Sequence, residues 1–330
     1  MPATVHPLAP LENYATYGAR FMDLAIWEPY ARQICQRHQL CPFDPLRAGL
    51  AGTYPTFIVA ERWVIKFFGQ LFGGAESFRA EQQANHFIAA SSQIPAPKLL
   101  ASGSLFEPSE GWHWPYLIFE FVPGISIGQI YDQIDWDDKL ALARQLGEIT
   151  RHLHQIPLED TPFPGGQGWE TYLKFLEGQR LICVPNHQKW SSLPGNLIAQ
   201  IEDYLLPPEA IVDLSRPPSL IHADITRDHI LGEITAGRWQ TRALIDFGDA
   251  MMGDIFYELA ALHLDVFQRD RHLLRTFLDS YGLSKPQNNG FSHKALSVAL
   301  LHQFDVFSGI RNWMDEIPDS LEALAIQLWG

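Results

Sequence analysis

The chain has 330 residues, of which 46% are hydrophobic and 19% charged, enough length and apolar content to bury a core without disulfide or metal staples. Its formal charge of −14 argues against nucleic acid or an anionic membrane as partner, since both call for a basic surface. The three cysteines (Cys35, Cys41, Cys183) form no CxxC pair, and there is neither a leader-like start nor an 18-residue apolar run, so reduced thiols and a cytoplasmic location are expected. In chain order, helical periodicity over 27–40 precedes two apolar, β-branched and aromatic stretches, 53–60 and 62–69, that read as a hairpin. A helix over 77–90 stops before Ile94-Pro95-Ala96-Pro97, and strands follow at 98–106 and 114–122. Pro123-Gly124 then punctuates the chain. Beyond it helices are predicted over 137–155, 168–182, 192–206, 254–280 with breaks, 291–307 and 319–329. One island of strand, 229–234 and 239–247, interrupts them around the turn Thr235-Ala236-Gly237-Arg238. The expected organisation is a strand-rich first lobe and a helical second one, with the acid concentrated in the second: residues 1–122 carry a net −2 and residues 123–330 a net −12.

The segment richest in chemistry is LIHADITRDHIL followed by LIDFGDA. It holds His222-Ala223-Asp224, His229 five residues after Asp224, and Asp246-Phe247-Gly248 beyond the hairpin. Phosphoryl transfer needs one carboxylate to orient the attacking hydroxyl and another to hold Mg²⁺ against nucleotide phosphates, with a further ligand nearby. The order of the two motifs and the short hairpin between them supply such groups from adjacent strand ends. Upstream, Lys66 lies among Trp63, Val64, Ile65, Phe67 and Phe68, where a lone charge is costly and an anion is wanted. Glu81, fifteen residues later on the next helix, is the right kind of partner, and in kinases such a pair fixes the lysine on the α- and β-phosphates. Gly49-Leu50-Ala51-Gly52-Thr53 opens the first hairpin, where its backbone N–H groups are placed to lie over phosphates; an ordinary turn explains it equally well. Phe119-Glu120-Phe121-Val122 occupies the strand-to-linker position, where a kinase backbone meets the adenine edge and where a core strand ending in a turn reads the same.

On these residues the chain resembles the aminoglycoside phosphotransferase family of small-molecule kinases over roughly 45–265. The segment Ala250-Met251-Met252-Gly253-Asp254, with Tyr257-Glu258-Leu259-Ala260, is most similar to the hygromycin B phosphotransferase type. The resemblance implies an α+β, bilobal protein-kinase-like fold: a helical extension over 1–44, a nucleotide-binding lobe over 45–122 with a small antiparallel sheet, and a larger helical lobe over 123–330. It implies ATP (or GTP) and Mg²⁺ as cofactors, Asp224 as the catalytic residue, Lys66, Glu81, Gly52, Thr53, Glu120 and Val122 on the nucleotide, and Asp246 on the metal. Asp254 and Glu258 would buttress the loop. The family's asparagine at the second metal position is His229 here, preceded by Asp228, so either Asp228 takes over, the second metal is weakly held, Mn²⁺ is used, or catalysis is lost. The middle residue of the H-x-D motif is Ala223 in place of the common Gly, a minor change. Arg227 would touch the γ-phosphate or pair with Asp228. Asp249, Glu170, Glu202 and Asp203 are candidates to meet a cationic acceptor, presented by the insert 165–210 and the C-terminal helices. The implied partner is a small acceptor, polycationic or sugar-like, taken up by a monomer or weak dimer. The rival readings are a nucleotide-binding regulator with little turnover, motivated by His229, and a protein kinase, which the short Met251–Asp254 segment disfavours because it leaves no room for an activation segment.

Overall fold

The computed structural model describes residues 8–50, 52–108, 111–157, 163, 166, 168–283, 289–314 and 316–330. They divide into two compact units, one running to Ile125 and regaining Arg242–Asp249, the other made of Ser126–Thr241 and Ala250–Gly330.

The first unit is built on an antiparallel sheet of β1 (Leu46–Ala48), β2 (Thr56–Val59), β3 (Trp63–Phe67), β4 (Leu99–Ser104) and β5 (Pro115–Glu120), in the spatial order β1-β2-β3-β5-β4. Side chains alternate between the faces of a strand. Phe57, Val59, Ile65, Phe67, Tyr116 and Ile118 therefore share one buried face, while Val64, Phe68, Leu117 and Phe119 share the other. Lys66 stands opposite Leu117 in the ladder and so falls on the second face. Helix α1 (Tyr14–Arg20) and helix α2 (Leu24–Arg37) cover the first face. On α2 the spacing of Trp27, Ala31, Ile34 and Cys35 gives one apolar stripe, all four are buried, and the Trp27 ring stacks on Phe67 at 4.3 Å. The segment expected as an extension thus supplies core to this unit. Helix α3 (Gly74–Ile88) covers the second face through residues such as Phe78. The chain returns to this unit late, where the Leu244 N–H donates to the Pro95 carbonyl at 2.7 Å.

The second unit is mostly helical: α4 (Trp136–His154), α5 (Trp169–Trp190), α6 (Gly195–Ile198), α7 (Ile201–Tyr204), α8 (Pro208–Ile211), α9 (Ile255–Ala261), α10 (Arg271–Tyr281), α11 (Asn289–Leu300), α12 (Ile310–Trp313) and α13 (Leu321–Trp329). Two differences from the sequence reading stand out here. The helix expected to end at 182 runs on through Pro185 to Trp190, and the helix expected over 192–206 is two short pieces ahead of Pro207-Pro208. Strand β6 (Ile125–Ser126) pairs with β8 (Ile230–Thr235), which pairs with β9 (Arg238–Leu244), while β7 (Ser219–Ile221) and β10 (Met251–Gly253) form a separate ladder with Met251 opposite Ile221. Buried Asp138 on α4 holds the start of β9, accepting from the Trp239 N–H at 3.0 Å and from Arg238 Nε at 2.6 Å.

Helix α4 packs closely against α10. A Cβ on Gly147 would lie 2.5 Å from the Phe277 carbonyl oxygen and 2.9 Å from Ser280 Cβ, so backbone would have to move. Gly147→Ala should therefore destabilise the protein by about 1–3 kcal/mol, against the usual gain from Ala in a helix, as measured by urea unfolding.

His302, just beyond α11, is fully buried with its ring stacked on Tyr257 at 4.5 Å, and its Nδ1 accepts the Phe304 N–H at 3.2 Å. Burial lowers its pKa from 6.5 to about 4. Between those values the unfolded chain binds a proton that the folded one refuses, so stability falls as pH drops through this window. About 2 kcal/mol should be lost between pH 7 and pH 5 from this group. Urea midpoints across that range should show the loss, and His302→Gln should flatten the profile.

Candidate active site

In the first unit the residues singled out by sequence converge on one ammonium. Lys66 Nζ lies 2.7 Å from Glu81 Oε2 and 2.7 Å from Asp246 Oδ1. The Lys66 and Glu81 side chains are 7% and 4% exposed, Asp246 33%. Burial alone would push the Lys66 pKa down, but the two carboxylates more than offset it and hold the amine above its ordinary value. Burial pushes the Glu81 carboxyl up, to about 7, against the pull of Lys66. The Tyr54 and Phe68 rings lie 5.8 and 5.3 Å from the ammonium and complete an aromatic wall.

Asp246 reaches Lys66 from a strained backbone, with φ at +65°, a left-handed conformation that costs a non-glycine residue roughly 1–2 kcal/mol. Strain of that kind gathers at functional positions. The following turn, Phe247–Asp249, packs on α3, and Gly248 lies close to the site: a Cβ there would sit 3.2 Å from Asp246 Oδ1 and 3.6 Å from Ser77 Cβ. Tyr54 donates to the Phe72 carbonyl at 2.7 Å and lies 3.1 Å from Ser77 Oγ. Burial pushes its hydroxyl up to about 12, and the carboxylates of Asp249 and Asp246 add to that rise. In the loop before β2, the Thr53 carbonyl accepts from Tyr17 Oη at 2.7 Å. Gly49 closes the loop on the Thr56 carbonyl at 2.8 Å, while a Cβ on Gly52 would meet nothing within 4 Å; Ala51 of this motif lies outside the described residues. At the end of β5, the Glu120 N–H is taken by the Lys98 carbonyl and the Phe121 N–H by the Arg62 carbonyl, at 2.9 and 2.8 Å. The Glu120 side chain is exposed and Val122 half-buried.

The second unit holds the loop after β7. Glu258, fully buried on α9, accepts two successive amides: the His222 N–H on Oε1 at 2.5 Å and the Ala223 N–H on Oε2 at 3.1 Å. Asp254 caps the same helix, accepting the Phe256 N–H at 3.0 Å. Ala223 has φ at +67°, a left-handed conformation that glycine would adopt without strain. The Asp224 carbonyl accepts from His229 Nδ1 at 2.6 Å, and the same nitrogen stands 3.6 Å from Asp224 Oδ2. With Nδ1 donating to the carbonyl, that nitrogen is not available as a metal ligand. The Asp228 carboxylate turns to Ser126 Oγ at 3.3 Å and lies where a Cβ on Gly128 would come within 2.5 Å of it. Arg227 pairs with Asp265, not with Asp228.

The structure therefore brings Lys66, Glu81, Asp246 and Gly248 together in one unit and Asp224 with His229 in the other. Asp265, Ser126 and Gly128 carry no spacing signal that would have found them in the sequence. Among the described residues no three His, Cys, Asp or Glu side chains gather into a metal cage. Mg²⁺ in phosphotransfer sites takes one or two carboxylates and fills its remaining positions with phosphate oxygens and water, which suits a lone hard donor such as Asp246. Among the described residues no helix is long and apolar enough to cross a membrane.

Residues 49–292 match the phosphotransferase enzyme family, and the chain belongs to that family. Among solved structures, the GDP complex of wild-type aminoglycoside 2'-phosphotransferase-IIIa superposes with a TM-score of 0.62 at 19% identity, covering 91% of this chain and 96% of that one. A thermostable mutant of aminoglycoside phosphotransferase APH(4)-Ia, solved as a ternary complex with AMP-PNP and hygromycin B, gives a TM-score of 0.58 at 19% identity over 91% of this chain and 99% of that one. These likenesses establish the kinase-like α+β fold. A curated relative, the lysine-specific demethylase JMJ21 of Arabidopsis thaliana, is 25% identical over 273 residues, which is 66% of this chain but only 29% of that protein.

Proposed function

We propose that the protein transfers the γ-phosphate of ATP or GTP to a hydroxyl of a small aminoglycoside- or sugar-like acceptor. The observation that carries this reading is the Lys66 ammonium forked between Glu81 and Asp246, a buried cation prepared for a phosphate chain. Lys66 holds the α- and β-phosphates, the loop at Gly52 and Thr53 lies over them, and the backbone at Glu120 and Val122 receives the base. Asp246, with His229 as the candidate second ligand, would hold Mg²⁺, which would supply positive charge to offset the charge developing on the phosphates. Asp228, turned to Ser126, is the weaker candidate for that second position. Asp224 accepts a hydrogen bond from the acceptor hydroxyl and orients it for in-line attack; the His229 contact to its carbonyl steadies that residue.

For the acceptor, the net −12 over residues 123–330 favours a polycation over a neutral sugar. Asp249, Glu170, Glu202 and Asp203 are candidates to meet its amines, though Glu170 is already bridged to Lys174 at 2.7 Å. A panel of aminoglycosides, aminocyclitols and neutral sugars, assayed for acceptor-dependent ADP and GDP release at two salt concentrations, tests this reading. The expected result is higher kcat/KM for polyamine acceptors with an advantage that shrinks at high salt. Equal rates for neutral sugars would contradict the charge argument, and nucleotide binding without transfer to any acceptor would favour a regulator instead.

A further inference from the structure

The turn Arg227–His229 links Asp224 to β8, and its shape decides where the His229 ring stands. One carboxylate outside the motif holds it. Asp265 Oδ2 accepts the Arg227 backbone N–H at 2.7 Å, and Oδ1 accepts Nε and Nη2 of the same residue at 3.2 and 3.1 Å. Two guanidinium N–H groups converge on one carboxylate oxygen while the backbone N–H takes the other, so three charge-assisted bonds constrain one residue. The guanidinium also lies over the buried Tyr131 ring at 5.3 Å. Asp265 is itself aimed by an irregularity, the π-helical turn Leu262–Val266 between α9 and α10, where the Phe267 N–H reaches back to the Leu262 carbonyl at 2.8 Å. Leu262, His263, Leu264 and Val266 are all buried, so Asp265 is the member of this turn that is not packed inward. Such turns inside helices often mark functional positions.

We infer that Asp265 is a positioning residue for phosphate transfer: by clamping Arg227 it fixes the turn that carries His229 to Asp224. This rests on the proposed kinase activity, and it gives Arg227 a structural partner in place of a phosphate. The pair's side chains are 30% and 34% exposed, so its contribution to global stability is small and its effect falls on geometry.

The test combines kinetics with amide hydrogen exchange on the full chain. Asp265→Ala and Arg227→Leu should each lower kcat by about 100-fold with little change in either KM, as expected for a small misplacement of reacting groups. The double variant should be no worse than the lower single one, because both remove the same clamp. Asp265→Asn, which keeps an acceptor for the Arg227 amide, should recover part of kcat and guards against an alanine variant that fails to fold. In Asp265→Ala the Arg227 amide should exchange faster while amides of β3 stay protected. A rise in nucleotide KM in Arg227→Leu that Asp265→Ala does not share would overturn the inference and return Arg227 to the phosphates; additive losses would overturn it too. Should the wild type transfer phosphate to nothing, the activity reading fails while exchange at Arg227 still decides the clamp: an unchanged rate in Asp265→Ala rejects it.

Discussion

Asp224→Asn should reduce acceptor-dependent phosphate transfer by about 10²–10⁴-fold while nucleotide affinity stays near that of the wild type. The substitution preserves shape and removes only the negative charge and proton-accepting capacity that the acceptor hydroxyl needs. The loop should keep its form, because its main anchors are elsewhere: Glu258 holds the amides of His222 and Ala223, and the His229 ring donates to the Asp224 backbone carbonyl, which Asn keeps. Steady-state kinetics beside a nucleotide titration checks this. Loss of nucleotide binding along with transfer would instead mean that Asp224 shapes the nucleotide site.

Lys66→Met carries the second large effect, on both stability and activity. It leaves Glu81 buried and facing Asp246 with no cation between them, and breaking a buried pair in this way typically costs 3–5 kcal/mol. The loss should fall at the low end, about 3 kcal/mol, because Asp246 is partly solvated and Glu81 can take up a proton. The sign with pH follows. A carboxyl whose folded pKa is raised, here to about 7 even beside Lys66, favours the folded state at low pH and loses that advantage as pH rises from about 4.5 through its folded value. The variant should therefore be more impaired at pH 8 than at pH 6 in denaturant unfolding. Adding Glu81→Leu should restore much of the stability, since an apolar pair of similar volume removes the uncompensated charge. Activity should remain about 10²–10³-fold down in both variants, as for loss of one preorganised contact to developing charge. Recovery of activity in the double variant would show that Lys66 serves packing alone.

How much of this could be read from sequence differs from residue to residue. Lys66 was legible because an ammonium among Val64, Ile65, Phe67 and Phe68 demands an anion, and strand alternation then fixes its face. Glu81 was legible as the acid on the next helix. The third partner was not, as far as contact goes: Asp246 reaches Lys66 only because the chain returns to the first unit past Leu244, a long-range event that no local pattern encodes. The stripe on α2 announced a helix but not which surface it covers, so a segment read as an extension turned out to pack against the sheet. The ladder of β7 with β10 is three residues long, too short for a period-two signal. At the loop, the spacing of His222, Asp224 and His229 was readable, whereas the Arg227–Asp265 clamp spans 38 residues and depends on a π-helical turn that side-chain periodicity does not reveal. Against the family pattern Ala223 reads as a minor departure; its φ of +67° shows a backbone that would suit glycine better.

The destination of the γ-phosphate decides whether this protein is a small-molecule kinase. Phosphorus NMR of the wild-type protein with Mg²⁺, ATP and the acceptor panel measures it. The predicted result is a new phosphomonoester signal on a small-molecule acceptor, growing as ADP forms and lost in Asp224→Asn. ATP that binds and stays intact with every acceptor, or phosphate that appears only on protein, would contradict it.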